Sequence, residues 1–222
     1  MATFEVVMAA GRRCLAGDPS SKRRARVATD RPDRVPRRWD DQAVATVSGD
    51  FQLTMDELRV VARFVVESAE QVLPVFEDAH PIDPRPRAAI DAAREFADGA
   101  RRTARQRVTS LDAHRAARDA TTEVARLAAR SAGDAASAAY LHPIARAHQV
   151  GHILRAAASA ARIAELGAGD DPNIGAKVIE GAWQRATPVL IDVLERYPRS
   201  PVARDRVGQL MTALDTRLRA SR

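Results

Sequence analysis

From Thr54 onward, apolar residues return every three or four positions and polar residues fill the gaps. That period is helical. Leu58, Val61, Val65, Val72 and Phe76 form the first stripe. It opens at Thr54-Met55-Asp56-Glu57, a capping box in which the threonine hydroxyl and the glutamate carboxylate each satisfy a free backbone amide. Pro74 kinks this helix or divides it from a short turn, and His80-Pro81 ends it. Asp83-Pro84-Arg85-Pro86 opens a second helix, with Ala89, Ile90, Ala93, Phe96 and Ala97 on its buried side and Gly99 as its stop. A long stripe follows over 103–141, through Ala113, Ala117, Val124, Leu127, Ala128, Ala135 and Ala139. Ser110 stands where it would cap a new helix within that stretch. The next helix is predicted over 143–166, and another from Asp171-Pro172 to Tyr197-Pro198 with a kink at Pro188. Val202, Val207, Leu210, Met211, Leu214 and Leu218 make the last. No segment alternates as a strand does. The pattern predicts an all-α fold, a compact bundle of six or seven helices over residues 51–222, with antiparallel neighbours because the connections are short.

Alanine dominates the stretch YLHPIARAHQVGHILRAAASAARIAEL, residues 140–166. Ala147, Gly151, Leu154, Ala158 and Ala161 share one stripe, and side chains this small predict another helix at the low end of about 8–10 Å. Gly151 marks the expected close approach, so Gly151→Leu is expected to overpack it.

Residues 1–50 carry no such stripe. SSKRRARVATDRPDRVPRRWDDQ is rich in arginine, proline and aspartate, and buries too little to offset its chain entropy. A disordered, basic, Arg-rich N-terminal arm is expected, or else a working protein that begins near Met55. The first ten residues lack the basic start and apolar core of an export signal. No apolar run is long enough to span a bilayer. The single cysteine, Cys14, leaves no internal disulfide, which suits a reducing compartment. The expected location is the cytoplasm.

The 222 residues carry a formal charge of +6, almost all of the positive side as arginine; Lys22 and Lys177 are the two lysines. The segment 12–38 holds about seven net positive charges, 51–100 about five net negative, and 101–164 about seven net positive. The folded part therefore has an acidic region and a basic one. The arginines are densest at Arg101, Arg102, Arg105 and Arg107. With aromatics at only 4% of the chain, there is little to stack single-stranded bases.

His148 and His152 lie four apart, the spacing of two metal ligands on one helical face. The position beside the first histidine, which a zinc protease fills with glutamate, holds Gln149, and His142 lies six residues upstream, off that face. A catalytic metal needs a third ligand, so no metal is expected. GAGDDPNIGAK has the wrong glycine spacing for a phosphate loop, two aspartates that would repel phosphate, and Val178 after Lys177. It reads as a helix stop followed by a capped start. No serine sits in a glycine-flanked elbow. Glu67 with Glu70, and Glu77 with Asp78, read as solvated helix faces. Neither an enzyme nor a cofactor is expected.

Three blocks in order, DAHPIDPRPRAAIDAAREFADGARRT, YLHPIARAHQVGHILRAAASAARIAEL and ATPVLIDVLERYP, resemble an all-helical immunity-protein family of bacterial polymorphic toxin systems, common in actinobacteria. The resemblance covers about residues 51–219. It implies a small non-enzymatic protein that binds and neutralises a cognate toxin protein in the producing cell. Many toxins of such systems present basic clefts, so the acidic region, with Glu67, Glu70, Glu77, Asp78, Asp91 and Glu95, is the expected partner-binding surface. The alternative is a nucleic-acid-associated helical protein using the basic arm and the Arg101–Arg107 cluster. A membrane partner is not expected; a homo-oligomer is compatible with the sequence.

Overall fold

The computed structural model describes residues 46–200 and 203–221. The basic arm and Cys14 lie outside the described residues up to position 45. Among the described residues there are nine α-helices and one short hairpin. The hairpin pairs β1 (Thr46–Ser48) antiparallel to β2 (Gln52–Thr54). The helices are α1 (Met55–Glu70), α2 (Leu73–Ala79), α3 (Arg85–Ala97), α4 (Ala104–Asp119), α5 (Glu123–Ala138), α6 (Val150–Gly167), α7 (Pro172–Arg185), α8 (Pro188–Glu195) and α9 (Arg206–Arg219). A single 3-10 turn, Ala147–Gln149, leads into α6.

The core is built around α5 and α6. Helix α5 packs against α1, α2, α3, α4 and α6, and α6 packs against α1, α5, α7 and α9. So many neighbours fit because both helices are lined with alanine. Ala125, Ala128, Ala129, Ala132, Ala135, Ala136 and Ala138 on α5 are all fully buried, as are Ala156, Ala158 and Ala161 on α6. Bulk comes from the surrounding helices: Leu58, Val61 and Val65 on α1, Ile90 and Phe96 on α3, Leu190 and Leu194 on α8, and Leu214 on α9. Truncating one such side chain, Phe96 to alanine, would cost about 3–5 kcal/mol.

The capping box forms as the sequence predicts. Thr54 N–H donates to Glu57 Oε2 at 2.7 Å, and Glu57 N–H donates to Thr54 Oγ1 at 3.1 Å. Gly99 stops α3 with φ at +107°, a conformation that favours glycine.

The helix count exceeds the predicted six or seven because two expected kinks are full divisions and one long stretch breaks. Pro74 sits in the first turn of α2. Pro188 opens α8 behind Thr187, whose side chain accepts from Leu190 N–H at 3.2 Å. The break in 103–141 falls at Ala120–Thr122, not at Ser110. Thr122 caps α5 by accepting from Ala125 N–H at 3.3 Å. Ser110 is buried inside α4 and donates to the Gly133 carbonyl at 2.8 Å.

Helix α6 begins at Val150 rather than Pro143. The reason lies in the hairpin. Asp50 N–H donates to the Pro143 carbonyl at 2.8 Å, and Ala145 N–H donates to Asp50 Oδ2 at 2.7 Å. The backbone groups of 143–145 are thus taken up by the hairpin loop. Three-residue strands fall below the length at which alternation can be read, so the sequence pattern does not reveal the hairpin.

The close approach expected at Gly151 does not occur. A Cβ there would meet only the Arg155 guanidinium on the same helix, at 3.2 Å. Backbone crowding occurs instead at Gly49, whose Cβ would strike the Pro143 carbonyl. No described helix is long and apolar enough to cross a membrane.

Candidate functional site

The three histidines singled out by spacing do not converge. His142 is exposed; its N–H donates to Gln149 Oε1 at 3.4 Å and its carbonyl accepts from the Tyr197 hydroxyl at 3.0 Å. His148 Nε2 lies 2.8 Å from Gln149 Nε2. His152 Nδ1 lies 3.5 Å from Ser137 Oγ, and that hydroxyl donates to the Asp134 carbonyl at 2.9 Å. Among the described residues no group of three His, Cys, Asp or Glu side chains is arranged to hold a metal ion.

The polar centre is a different one. Asp134 lies in the middle of the alanine face of α5 and is 0% exposed. Arg155, on α6, donates to it through Nε at 2.8 Å and Nη2 at 2.6 Å, the two-pronged geometry that suits guanidinium and carboxylate. His114, on α4, brings Nε2 to within 3.9 Å of the same carboxylate. Gly133 makes room for that ring, since a Cβ there would lie 2.7 Å from His114 Cε1. Burial holds His114 below the ordinary histidine range. Asp134 pulls it upward, and Arg155, Arg130 and Arg118 push it down again. Burial lowers His152 as well, also against the pull of Asp134.

Arg155, the partner of Asp134, lines two neighbouring cavities, of about 490 Å³ and 290 Å³. Both are lined by Arg126, Arg130 and Arg155. The smaller adds His114, Ala117 and Arg118. The larger reaches α9 and adds Glu123, Leu127, Arg162, Asp205, Arg206 and Met211. On that side Glu165 is buried and accepts from Arg206 at 2.6–3.2 Å and from Arg162 at 3.2 Å. Arg206, then Arg162, holds its carboxyl below the usual range. Arg162 also pairs with Asp170. Arg118, Arg126 and Arg130 are exposed and pair with no carboxylate among the described residues.

This groove carries no local sequence signature. Its arginines come from four helices and from positions spread over 118–206. One signal was available: Asp134 is the lone charge in the run SAGDAASAA, and a charge in the middle of a buried stripe requires a partner.

The acidic set is distributed along the seam between α3 and its neighbours. Glu70 on α1 accepts from Nε and Nη2 of Arg94. Glu77 on α2 accepts from Arg87 at 2.8 and 2.7 Å. Glu95 accepts from Arg105 of α4 at 2.6 Å. Glu67 faces Arg185 of α7 at 3.9 Å. Asp78 and Asp91 are exposed and make no ion pair among the described residues. Four of the six carboxylates therefore tie helices together.

The Arg101–Arg107 cluster is likewise spent within the fold. Arg102 and Arg107 stack over the Tyr140 ring at 4.8 and 4.5 Å, and Arg102 donates to the Ala139 carbonyl at 3.0 Å. Arg105 is taken by Glu95. GAGDDPNIGAK forms the predicted stop and start: Gly169 and Asp170 have φ of +69° and +68°, and Asp171 caps α7 by accepting from Asn173 N–H at 2.9 Å. A third cavity, of about 150 Å³, lies between α1, α7 and α8 and is mostly apolar, lined by Val60, Phe64 and Leu190.

No curated protein and no solved structure matches the chain. A family match covers residues 52–187, from β2 through the end of α7, and so takes in α3 to α6 with Asp134, Arg155 and the three unpaired arginines. On a match spanning more than half its length, the chain belongs to the family described as Imm-5 like putative immunity protein.

Proposed function

We propose that the protein neutralises a cognate bacterial toxin by binding it in the cytoplasm of the producing cell, with no chemistry of its own. The observation that carries this reading is the family match over 52–187. The architecture suits it. Among the described residues nine helices, with the alanine-lined pair at their centre, give a compact scaffold, and rigid scaffolds lose little freedom when they bind. Nucleic-acid binding through the Arg101–Arg107 cluster draws no support from this geometry, because Tyr140 and Glu95 engage three of its four arginines.

The acidic face of α1–α3, with Glu67, Glu70, Glu77, Asp78, Asp91 and Glu95, belongs to the proposal as the surface that steers a basic toxin during approach. Asp78 and Asp91 are its free charges. Charges at the rim of an interface act mainly on the association rate.

The test is co-expression with a candidate toxin domain taken from the genes adjoining this one. The chain should restore growth of a bacterial host that the toxin arrests, and the two purified proteins should co-elute. Asp78→Lys with Asp91→Lys should slow association by about tenfold at low salt. Persistent growth arrest together with separate elution refutes the proposal.

A further inference from the structure

The arginines of this protein are generously paired. Ion pairs join Arg63 to Asp98, Arg85 to Asp83 and Asp119, Arg196 to Glu57, and Arg219 to Asp215. Against that background, Arg118, Arg126 and Arg130 stand together without a carboxylate among the described residues, at the mouth of two neighbouring cavities. Arg126 and Arg130 are four apart on α5, and like charges at that spacing disfavour the helix. The other arginines lining the cavities are charge-compensated. Arg155 is clamped by Asp134, and Arg162 and Arg206 are clamped by Glu165. The walls of the groove are thus fixed by buried carboxylates before anything binds, which lowers the ordering cost of binding, and its uncompensated charge is that of Arg118, Arg126 and Arg130.

We propose that this groove, between α4, α5, α6 and α9, is the docking site for an acidic segment of the toxin, with Arg118, Arg126 and Arg130 as the charged contacts. The inference rests on the toxin-binding reading and names the surface and the chemistry of the partner. Two neighbouring cavities of about 490 and 290 Å³ fit a stretch of several residues better than a single small anion. Leu127, Val207 and Met211 add apolar wall, which favours a segment that alternates carboxylates with apolar side chains. Nucleic acid fits less well. Among the described residues no Phe, Tyr or Trp lines either cavity to stack a base. Residues 12–38 of the chain itself carry about seven net positive charges, so charge rules that segment out as the occupant.

The groove and the acidic face have separable roles. Exposed carboxylates on the face steer approach; arginines that become covered in the groove hold the complex together and act on its dissociation rate.

The test uses the full chain and a candidate toxin domain taken from the genes adjoining its own, carrying an inactivating substitution. Binding is measured by surface-based kinetics for wild type, for Arg126→Glu with Arg130→Glu, and for a control, Arg101→Glu with Arg146→Glu. All four positions are exposed, and melting curves verify that the fold is kept. Groove reversal should weaken affinity by about 100-fold, chiefly through faster dissociation, and the control should change it by less than about threefold. If wild type binds toxin and the groove reversal stays within about threefold, the groove inference fails and the toxin reading stands. If wild type does not bind toxin at all, the toxin reading fails and the inference falls with it. Two other results overturn the groove inference: toxin displaced from wild type by a single strand of about 20 nucleotides, or a wild-type dimer in light scattering that the groove reversal dissociates.

Discussion

Replacing Asp134 with asparagine should cost about 3 kcal/mol. The carboxylate is 1% exposed and its partner Arg155 is 24% exposed. In the wild type the hydrogen bonds that Arg155 donates to Asp134 raise its pKa, and without them a guanidinium still keeps its proton. Asparagine preserves the shape but not the pairing. One of its two terminal atoms still accepts, and the other, now an amide nitrogen, points its hydrogens at a guanidinium. A cation is left partly buried without a counterion. Breaking a buried pair from one side costs about 3–5 kcal/mol, and the residual exposure of Arg155 places this case at the lower end. For a domain of this size the melting midpoint should fall by about 6–12 °C. Urea unfolding of Asp134→Asn, Arg155→Gln and the double variant closes a thermodynamic cycle. A coupling of about 2 kcal/mol or more is expected, so the double variant should be far less damaged than the sum of the singles. A loss below about 1 kcal/mol for Asp134→Asn, or additive singles, would refute the claim that this pair organises the α5–α6 core.

Acidification should destabilise the protein below about pH 6.5. His114 and His152 have folded pKa values below the unfolded value near 6.5, so the unfolded chain takes up protons first and stability falls as pH drops through that window. Thermal melts at pH 7.5 and 5.5 check this, and His114→Gln should flatten the dependence; a midpoint that rises on acidification contradicts it. Glu165, whose folded pKa is depressed by Arg206 and Arg162, adds a further loss as pH falls below its unfolded value near 4.5. Two alanine substitutions on α7 should have opposite signs. Gly175→Ala places a Cβ onto the Glu165 carboxylate and should cost about 1–2 kcal/mol net. Gly181→Ala meets only the Arg185 guanidinium at 3.8 Å and should gain about 0.5–1 kcal/mol. Denaturant midpoints of the two variants decide it, and equal signs would contradict the packing described around Glu165.

The sequence discloses local devices and conceals long-range ones. The capping box at Thr54, the stop at Gly99 and the start at Asp171 use residues within a turn of one another, so spacing reveals them. Ser110 and Thr122 look alike as helix caps. Only the Gly133 carbonyl, 23 residues away, decides that Ser110 stays inside α4. The carboxylates of α1–α3 are visible as an acidic run, but nothing local says that Arg94, Arg87, Arg105 and Arg185 will meet them. The same holds in reverse for the groove. Arg118, Arg126 and Arg130 look like every other exposed arginine until α4, α5 and α6 are placed side by side. Gly151 shows the opposite failure. Its stripe of small residues suggests a helix crossing, yet the space beside it is filled by its own helix's Arg155.

The hairpin at residues 46–54 is anchored almost entirely by residues made much later. Asp50 binds Pro143 and Ala145, the Phe51 ring meets Tyr197 edge-on at 5.0 Å, and Arg196 donates to the Gln52 carbonyl at 2.9 Å and also pairs with Glu57. During synthesis this hairpin must therefore wait for some 150 residues to follow it. At about 5–20 residues per second that interval is roughly 8–30 s. Over that time Leu53 and the start of α1 lack their final cover, and a nascent chain stalled before α8 holds the hairpin only through the Asp50 contacts to Pro143 and Ala145. Folding is closed from the C-terminal side, by Arg196 and Tyr197.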